Sequence, residues 1–176
     1  MNQTRTYLLF LVLLVAGATQ AARANQPAWR AATEKELGAL IPARAPVEKE
    51  RIETELRTAS GVTDGKGKFI AGVVMITAGY SADGRYSHFL ILQTSVKIGE
   101  MILHPGEYAF GYRRVDAETL ETKFYEAGTG RLLGTISARL EPRRGPIRSL
   151  LITPPGSTRS GSFLIGRFVF NYSLAE

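Results

Sequence analysis

The chain has 176 residues, no cysteine, and 22 basic against 16 acidic side chains, a formal charge of +6. The lack of cysteine excludes disulfides, thiolate metal ligands, a thiol nucleophile and a lipidated N-terminal cysteine, so stability must come from packing. The basic excess is mild and reads as a solvated face, well short of the dense charge of a nucleic-acid binder.

The start has the form of a targeting segment. Arg5 supplies a positive lead, Tyr7 to Ala18 is almost wholly apolar, and Ala22-Arg23-Ala24 is a small-x-small cleavage site. The apolar run is shorter than the roughly 20 residues of a spanning helix, so the expectation is a Sec-type signal peptide over residues 1–24, cleaved after Ala24. That implies a periplasmic or secreted protein, not an integral membrane protein after cleavage, and it argues against nucleic acid as a partner. Cleavage leaves 152 residues, the size of one domain, with 20 basic and 16 acidic groups and a charge of +4. The remainder divides into an N-terminal helical segment, residues 25–61, and a β domain, residues 62–176.

In the helical segment, Thr33-Glu34-Lys35-Glu36 fits a capping box and predicts a short helix with Leu37, Leu40 and Ile41 on one side, ended by Pro42. Pro46 sits where a second helix would begin. The spacing of Val47, Ile52 and Leu56 predicts that helix over Val47–Ala59, with Glu53 four residues before Arg57 for an ion pair and Gly61 as its cap. Asp64-Gly65-Lys66-Gly67 then forms a joint.

From Lys68 the pattern is that of strands. Phe69 to Tyr80 is apolar at odd and even positions alike, which predicts burial on both faces, the second covered by the N-terminal helices. Ser81-Ala82-Asp83-Gly84 predicts a hairpin loop, and Tyr86 to Thr94 returns with the same two-sided pattern. These two strands are expected at the sheet centre.

The stretch Val96–Arg114 dictates shape most clearly. Gly99-Glu100 breaks two short apolar runs, and Pro105-Gly106 predicts a type II turn with φ > 0 at Gly106. Beyond it Tyr108, Phe110 and Tyr112 alternate with Ala109, Gly111 and Arg113, placing three aromatic rings on one face of a strand. Further strands are expected over Thr119–Glu126, Leu132–Ala138, Ile147–Thr153 and Phe163–Leu174. The total is seven or eight strands at hairpin spacing, a mainly β antiparallel sandwich or barrel.

The hairpin Leu103-x-Pro105-Gly106-x-Tyr108-x-Phe110, with Phe124-Tyr125-Glu126-Ala127 and a glycine-rich turn after it, resembles uncharacterised exported bacterial proteins of acidobacterial type. The resemblance spans Val96–Thr135, about a quarter of the chain. It implies a small β-sandwich-like domain and brings no catalytic residues.

The chemistry-bearing residues are few. His88 and His104 would need carboxylate partners to hold zinc, and nothing in the spacing fixes any, so no metal and no cofactor is expected. Ser87 adjoins His88, but neighbours in a strand point to opposite faces, which excludes a nucleophile–base pair; there is no G-x-S-x-G elbow. Glu100 and Glu107 flank a hairpin and read as solvated turn residues. Gly65-x-Gly67 and Gly128-x-Gly130 are turns, too short for phosphate cradles. The row Tyr108, Phe110 and Tyr112 is the candidate ligand-binding face, competing with simple core packing. The expected function is a non-enzymatic binding or interaction domain of the cell envelope, its partner a protein or a small apolar ligand. The alternatives are a lipocalin-like carrier and, third, a carboxylate-based hydrolase.

Overall fold

The computed structural model describes residues 29–77, 84–142 and 144–175. The expected signal segment, residues 1–24, and most of the Ser81–Gly84 loop lie outside them. In chain order the elements are β1 (Arg30–Ala31), α1 (Glu34–Leu40), β2 (Arg44–Val47), β3 (Glu50–Thr63), β4 (Phe69–Met75), β5 (His88–Leu92), β6 (Val96–Ile98), β7 (Met101–Leu103), β8 (Gly106–Arg114), β9 (Thr119–Glu126), β10 (Leu132–Leu140), β11 (Arg148–Ile152), β12 (Ser160–Gly166) and β13 (Phe168–Leu174). No helix among the described residues is long and apolar enough to cross a membrane.

The fold is a nearly closed antiparallel barrel. Its wall runs β3-β4-β5-β8-β9-β10-β13-β12-β11, nine strands where the sequence pattern predicts seven or eight. The first six follow one another as a meander, and the last three return in reverse order. β10 and β13 share only the pairs Arg139↔Val169 and Leu140↔Phe168. Where they diverge the β6–β7 hairpin fills the gap, pairing Lys97 with Ser173 and burying Val96, Ile98 and Leu103 in the interior.

Two layers of apolar side chains account for the two-sided strands. The barrel interior gathers Ile70, Leu90, Phe110, Phe124, Phe163 and Phe170. Outside, Leu37 and Ile41 of α1, Ala45 and Val47 of β2, and Ile52 pack on Ala71, Val73, Phe89 and Ala109. All five residues of β5 are buried. Alternation puts Tyr108 and Phe110 inside, and Ala109 and Gly111 outside beneath this covering layer. A Cβ on Gly111 would stand 2.4 Å from the Gly84 carbonyl oxygen, because that backbone crosses directly over β8. Gly61 is similarly constrained: a Cβ there would meet Ala71 at 2.8 Å and Leu37 of α1 at 2.9 Å.

Several expectations are corrected. α1 forms with its capping box intact, Thr33 N–H donating to Glu36 Oε2 at 2.8 Å. The second helix, Val47–Ala59, does not exist; Val47 and Glu50 face each other across a tight turn, and β3 runs straight through residue 61. The reason is a period of two in the same residues: Ile52 and Thr54 are buried while Arg51 and Glu53 are exposed. Arg57 pairs with Glu55 at 2.9 Å instead of Glu53, and Gly61 is a strand residue. The positive φ in the Val96–Arg114 stretch belongs to Gly99, +59°, while Gly106 begins β8. The last strand is two, split at Gly166 with φ +62°.

The close crossing over β8 yields a stability test. Gly111→Ala is expected to lower the unfolding free energy by about 2 kcal/mol, since the crossing backbone has to move. Gly128→Ala, with open space around it, is expected to stay within about 0.5 kcal/mol. Urea denaturation of the two variants checks this, and equal midpoints would refute the reading of Gly111.

Candidate functional site

The row singled out from the sequence lies mostly inside the barrel. Tyr108 and Phe110 are buried and Tyr112 is partly so. Phe110 stacks on His88 with ring centroids 4.6 Å apart and on Phe124 at 5.2 Å. The chain of rings continues through Phe170 and Phe163 to Tyr172. The Tyr108 hydroxyl donates to the His104 carbonyl at 2.6 Å, which ties the Pro105 bend to the strand that follows it. Tyr108 and Phe110 thus have their faces occupied by protein, and Tyr112 alone reaches an open cleft.

That cleft, about 460 Å³, is lined by Glu55, Thr77, Ser87, His88, Tyr112 and Ser149 among others. Ser87 Oγ lies 2.8 Å from His88 Nδ1 and 3.3 Å from the Phe110 carbonyl. The argument from opposite strand faces fails because Ser87 precedes β5, where strand alternation does not hold. The pair still lacks the rest of a hydrolytic site. His88 Nε2 is buried without a hydrogen bond of normal geometry, so no carboxylate among the described residues orients the ring. Burial holds the imidazole pKa down to about 4, against a smaller upward pull from the Ser149 backbone. The ring is neutral at pH 7.

The remaining candidates separate. His104 is exposed, its Nδ1 3.4 Å from Ser95 Oγ. Glu100 pairs loosely with Lys97 at 3.5 Å. The Gly65-x-Gly67 turn is closed by Asp64, whose carboxylate accepts from the Lys66 and Lys68 N–H groups at 2.8 and 3.0 Å. Gly130, at φ +67°, leaves room for the Glu48 carboxylate, which accepts a hydrogen bond from the Tyr86 hydroxyl. Among the described residues no group of three or more histidine, aspartate or glutamate side chains is placed to hold a metal.

A second region went unseen in the sequence: the line where the barrel fails to close. Eight successive antiparallel pairings leave β3 and β11 running in the same direction. They pack side by side without a shared backbone ladder. The Ile152 N–H donates to Ser60 Oγ at 2.9 Å. β3 bonds to β2 at Glu50–Glu53 and to β1 at Val62–Thr63, so the stretch between faces β11. That stretch bulges: Glu55 pairs with Val74, and the next pair is Ser60 with Gly72. Thr58 Oγ1 repairs the ladder by donating to the Glu55 carbonyl at 2.7 Å and accepting from the Val74 N–H at 3.0 Å.

The bulge leaves a hollow of about 570 Å³ beside β11, lined by Leu56, Arg57, Ser60, Arg148 and Leu151 among others. A neighbouring hollow of about 380 Å³ shares Arg148 and Leu151 and adds Arg144, Ile147 and Arg167. The one legible signal was the small polar run Thr58-Ala59-Ser60-Gly61, which suits a bulge better than a helix end.

No family model, curated protein or solved structure matches the chain, so the geometry alone carries the functional argument.

Buried His88 makes a pH test. Above pH 6.5 the ring is neutral folded and unfolded and contributes nothing to the pH dependence. As pH falls from 6.5 toward 4 the unfolded chain takes up a proton that the folded chain refuses, so stability drops, by on the order of 3 kcal/mol at full effect. His88→Phe is expected to flatten urea midpoints between pH 7 and pH 5. Parallel slopes in the two proteins would count against it.

Proposed function

We propose that this chain is an exported, non-enzymatic interaction domain of the bacterial cell envelope that engages a protein partner at the β3–β11 seam. One observation carries the reading: a barrel with a filled interior has one line in its wall without a backbone ladder. The bulge beside that line leaves the surface hollow of about 570 Å³, a concave place for a partner side chain. Leu56 and Ile147, 42% and 63% exposed, stand beside the seam and give a partner apolar anchors. The apolar run Tyr7–Ala18 and the Ala22-Arg23-Ala24 site support export.

The packed interior weighs against the carrier alternative, because the positions a cargo would occupy hold Phe110, Phe124, Phe163 and Phe170. The hydrolase reading has less support. Glu100 lies in an exposed turn and Glu107 is exposed on β8, and the Ser87–His88 contact has no orienting acid among the described residues.

Native mass spectrometry of the protein purified from its own host tests the proposal. The expected result is a stoichiometric protein adduct that Leu56→Glu removes and Ile102→Glu, an exposed apolar position on β7, leaves in place. A bare monomer, or an adduct indifferent to Leu56, would refute it.

A further inference from the structure

We infer that one end of the barrel is a docking surface for an anionic phospholipid membrane, a role separate from the protein partner proposed for the seam. Strand pairing defines that end. Val74 pairs with His88, Arg114 with Leu120, Arg139 with Thr119, Leu140 with Phe168 and Arg148 with Gly166, so the last residues of β4, β8, β10 and β12 lie together with the first of β5, β9, β11 and β13. Four of the seven exposed large apolar side chains among the described residues stand there: Ile76, Val115, Leu140 and Ile147. Ile76 follows β4, Val115 follows β8, and Leu140 and Ile147 flank the β10–β11 connection. Backbone bonds hold these connections as one rim, the Leu140 N–H donating to the Glu118 carbonyl at 2.7 Å and the Glu141 N–H to the Arg167 carbonyl at 2.9 Å.

The same end carries a seat for a phosphate. Arg144 before β11, Arg148 at its start and Arg167 in the β12–β13 turn line the hollow of about 380 Å³, and no carboxylate lines it with them. Arg144 and Arg148 form no ion pair among the described residues. Of the carboxylates on the rim, Glu121 is paired with Arg113 at 2.8 Å and Asp116 accepts from the Glu118 N–H at 2.8 Å. Glu118 and Glu141 are exposed and do not line the hollow. Guanidinium groups around one hollow repel each other. A phosphodiester among them relieves that repulsion and offers the paired oxygens that guanidinium forks bind.

The apolar residues decide where the phosphate comes from. They are distributed over three connections of the barrel, whereas a protein interface gathers its anchors in one desolvated core. A bilayer surface takes each apolar tip separately and leaves the arginine heads at headgroup level. A soluble phosphate compound would fill the hollow and leave the tips unused.

The test floats the chain from Asn25 onward with vesicles of phosphatidylcholine alone and of phosphatidylcholine and phosphatidylglycerol in equal parts. Binding is expected to the mixed vesicles only, and to weaken roughly tenfold when salt rises from about 50 to about 500 mM. The double variant Arg144→Glu with Arg148→Glu, and separately Ile147→Glu, are each expected to weaken it roughly tenfold. Lys66→Glu in the β3–β4 turn and Leu132→Glu at the start of β10, exposed positions at the opposite end of the barrel, are expected to leave it unchanged. Because the chain has no cysteine, Ile147→Cys and Leu132→Cys each carry a polarity-sensitive fluorophore at one place, and a blue shift on mixed vesicles is expected at position 147 alone. Urea midpoints matching the parent protein show that each variant is folded.

No binding to the mixed vesicles, equal binding to phosphatidylcholine alone, or equal blue shifts at the two ends overturns the inference. A loss in Lys66→Glu as large as in the arginine double variant makes the attraction one of overall charge and overturns it too. So does glycerol phosphate that binds by calorimetry to a protein indifferent to vesicles, since the hollow then serves a soluble compound.

Discussion

Burial of β4, β5 and β8 on both faces is the constraint from which the rest of this architecture follows. A sheet with apolar side chains above and below needs two covers, and one chain of this size has to supply both. The barrel closes around the inner face, and α1 with the β2–β3 hairpin folds back over the outer one. The two covers differ in what they admit. Inside, aromatic rings span the barrel and pack edge to face and face to face. Outside, backbone and helix come so close that β3, β4 and β8 present Gly61, Ala71, Ala109 and Gly111. The alternation of Tyr108 and Phe110 with Ala109 and Gly111 is this asymmetry written along one strand.

The same constraint determines which features were legible in the sequence. Two-sided apolar runs at Phe69–Met75 and His88–Leu92 are a strong local signal of burial on both faces, which β4 and β5 show, but the two strands lie near one end of the wall and not at its centre. The Thr33–Glu36 box is also local, and it forms. Val47–Thr63 misleads because three apolar residues at roughly helical spacing coexist with a period of two, and only pairing with β2 and β4 decides between them. The Gly166 turn interrupts the apolar run Phe163–Phe170 by Gly166-Arg167 alone, too short a break to separate two strands by local pattern. The Ser87–His88 contact was excluded by a strand rule applied one residue before the strand starts. In each case the missing information is a partner distant in the chain, which no window of local sequence contains.

The aromatic row was the ambiguous feature, able to stack a ligand or to fill a core. The barrel assigns Tyr108 and Phe110 to filling, because His88 and Phe124 already occupy the ring faces of Phe110. His88 packs its ring on this interior, and its Nε2 is buried without a hydrogen bond of normal geometry among the described residues. Burial keeps the ring in its neutral form at pH 7, and the lowered pKa makes that imidazole a weak base.

Strand parity then explains where a binding surface can arise. A meander of six strands followed by a reversed meander of three has an odd count, so its ends meet in parallel and the ladder that serves every other join is not available to them. The join instead rests on side-chain packing and the Ser60 hydroxyl. It also brings together residues that the chain keeps far apart: Ile152 reaches Ser60 across 92 positions, and Arg148 shares a hollow with Arg57. The late-chain excess of arginine has no apparent purpose in linear order. Closure converts part of it into a cationic groove alongside the one wall edge that has no strand bonded to it.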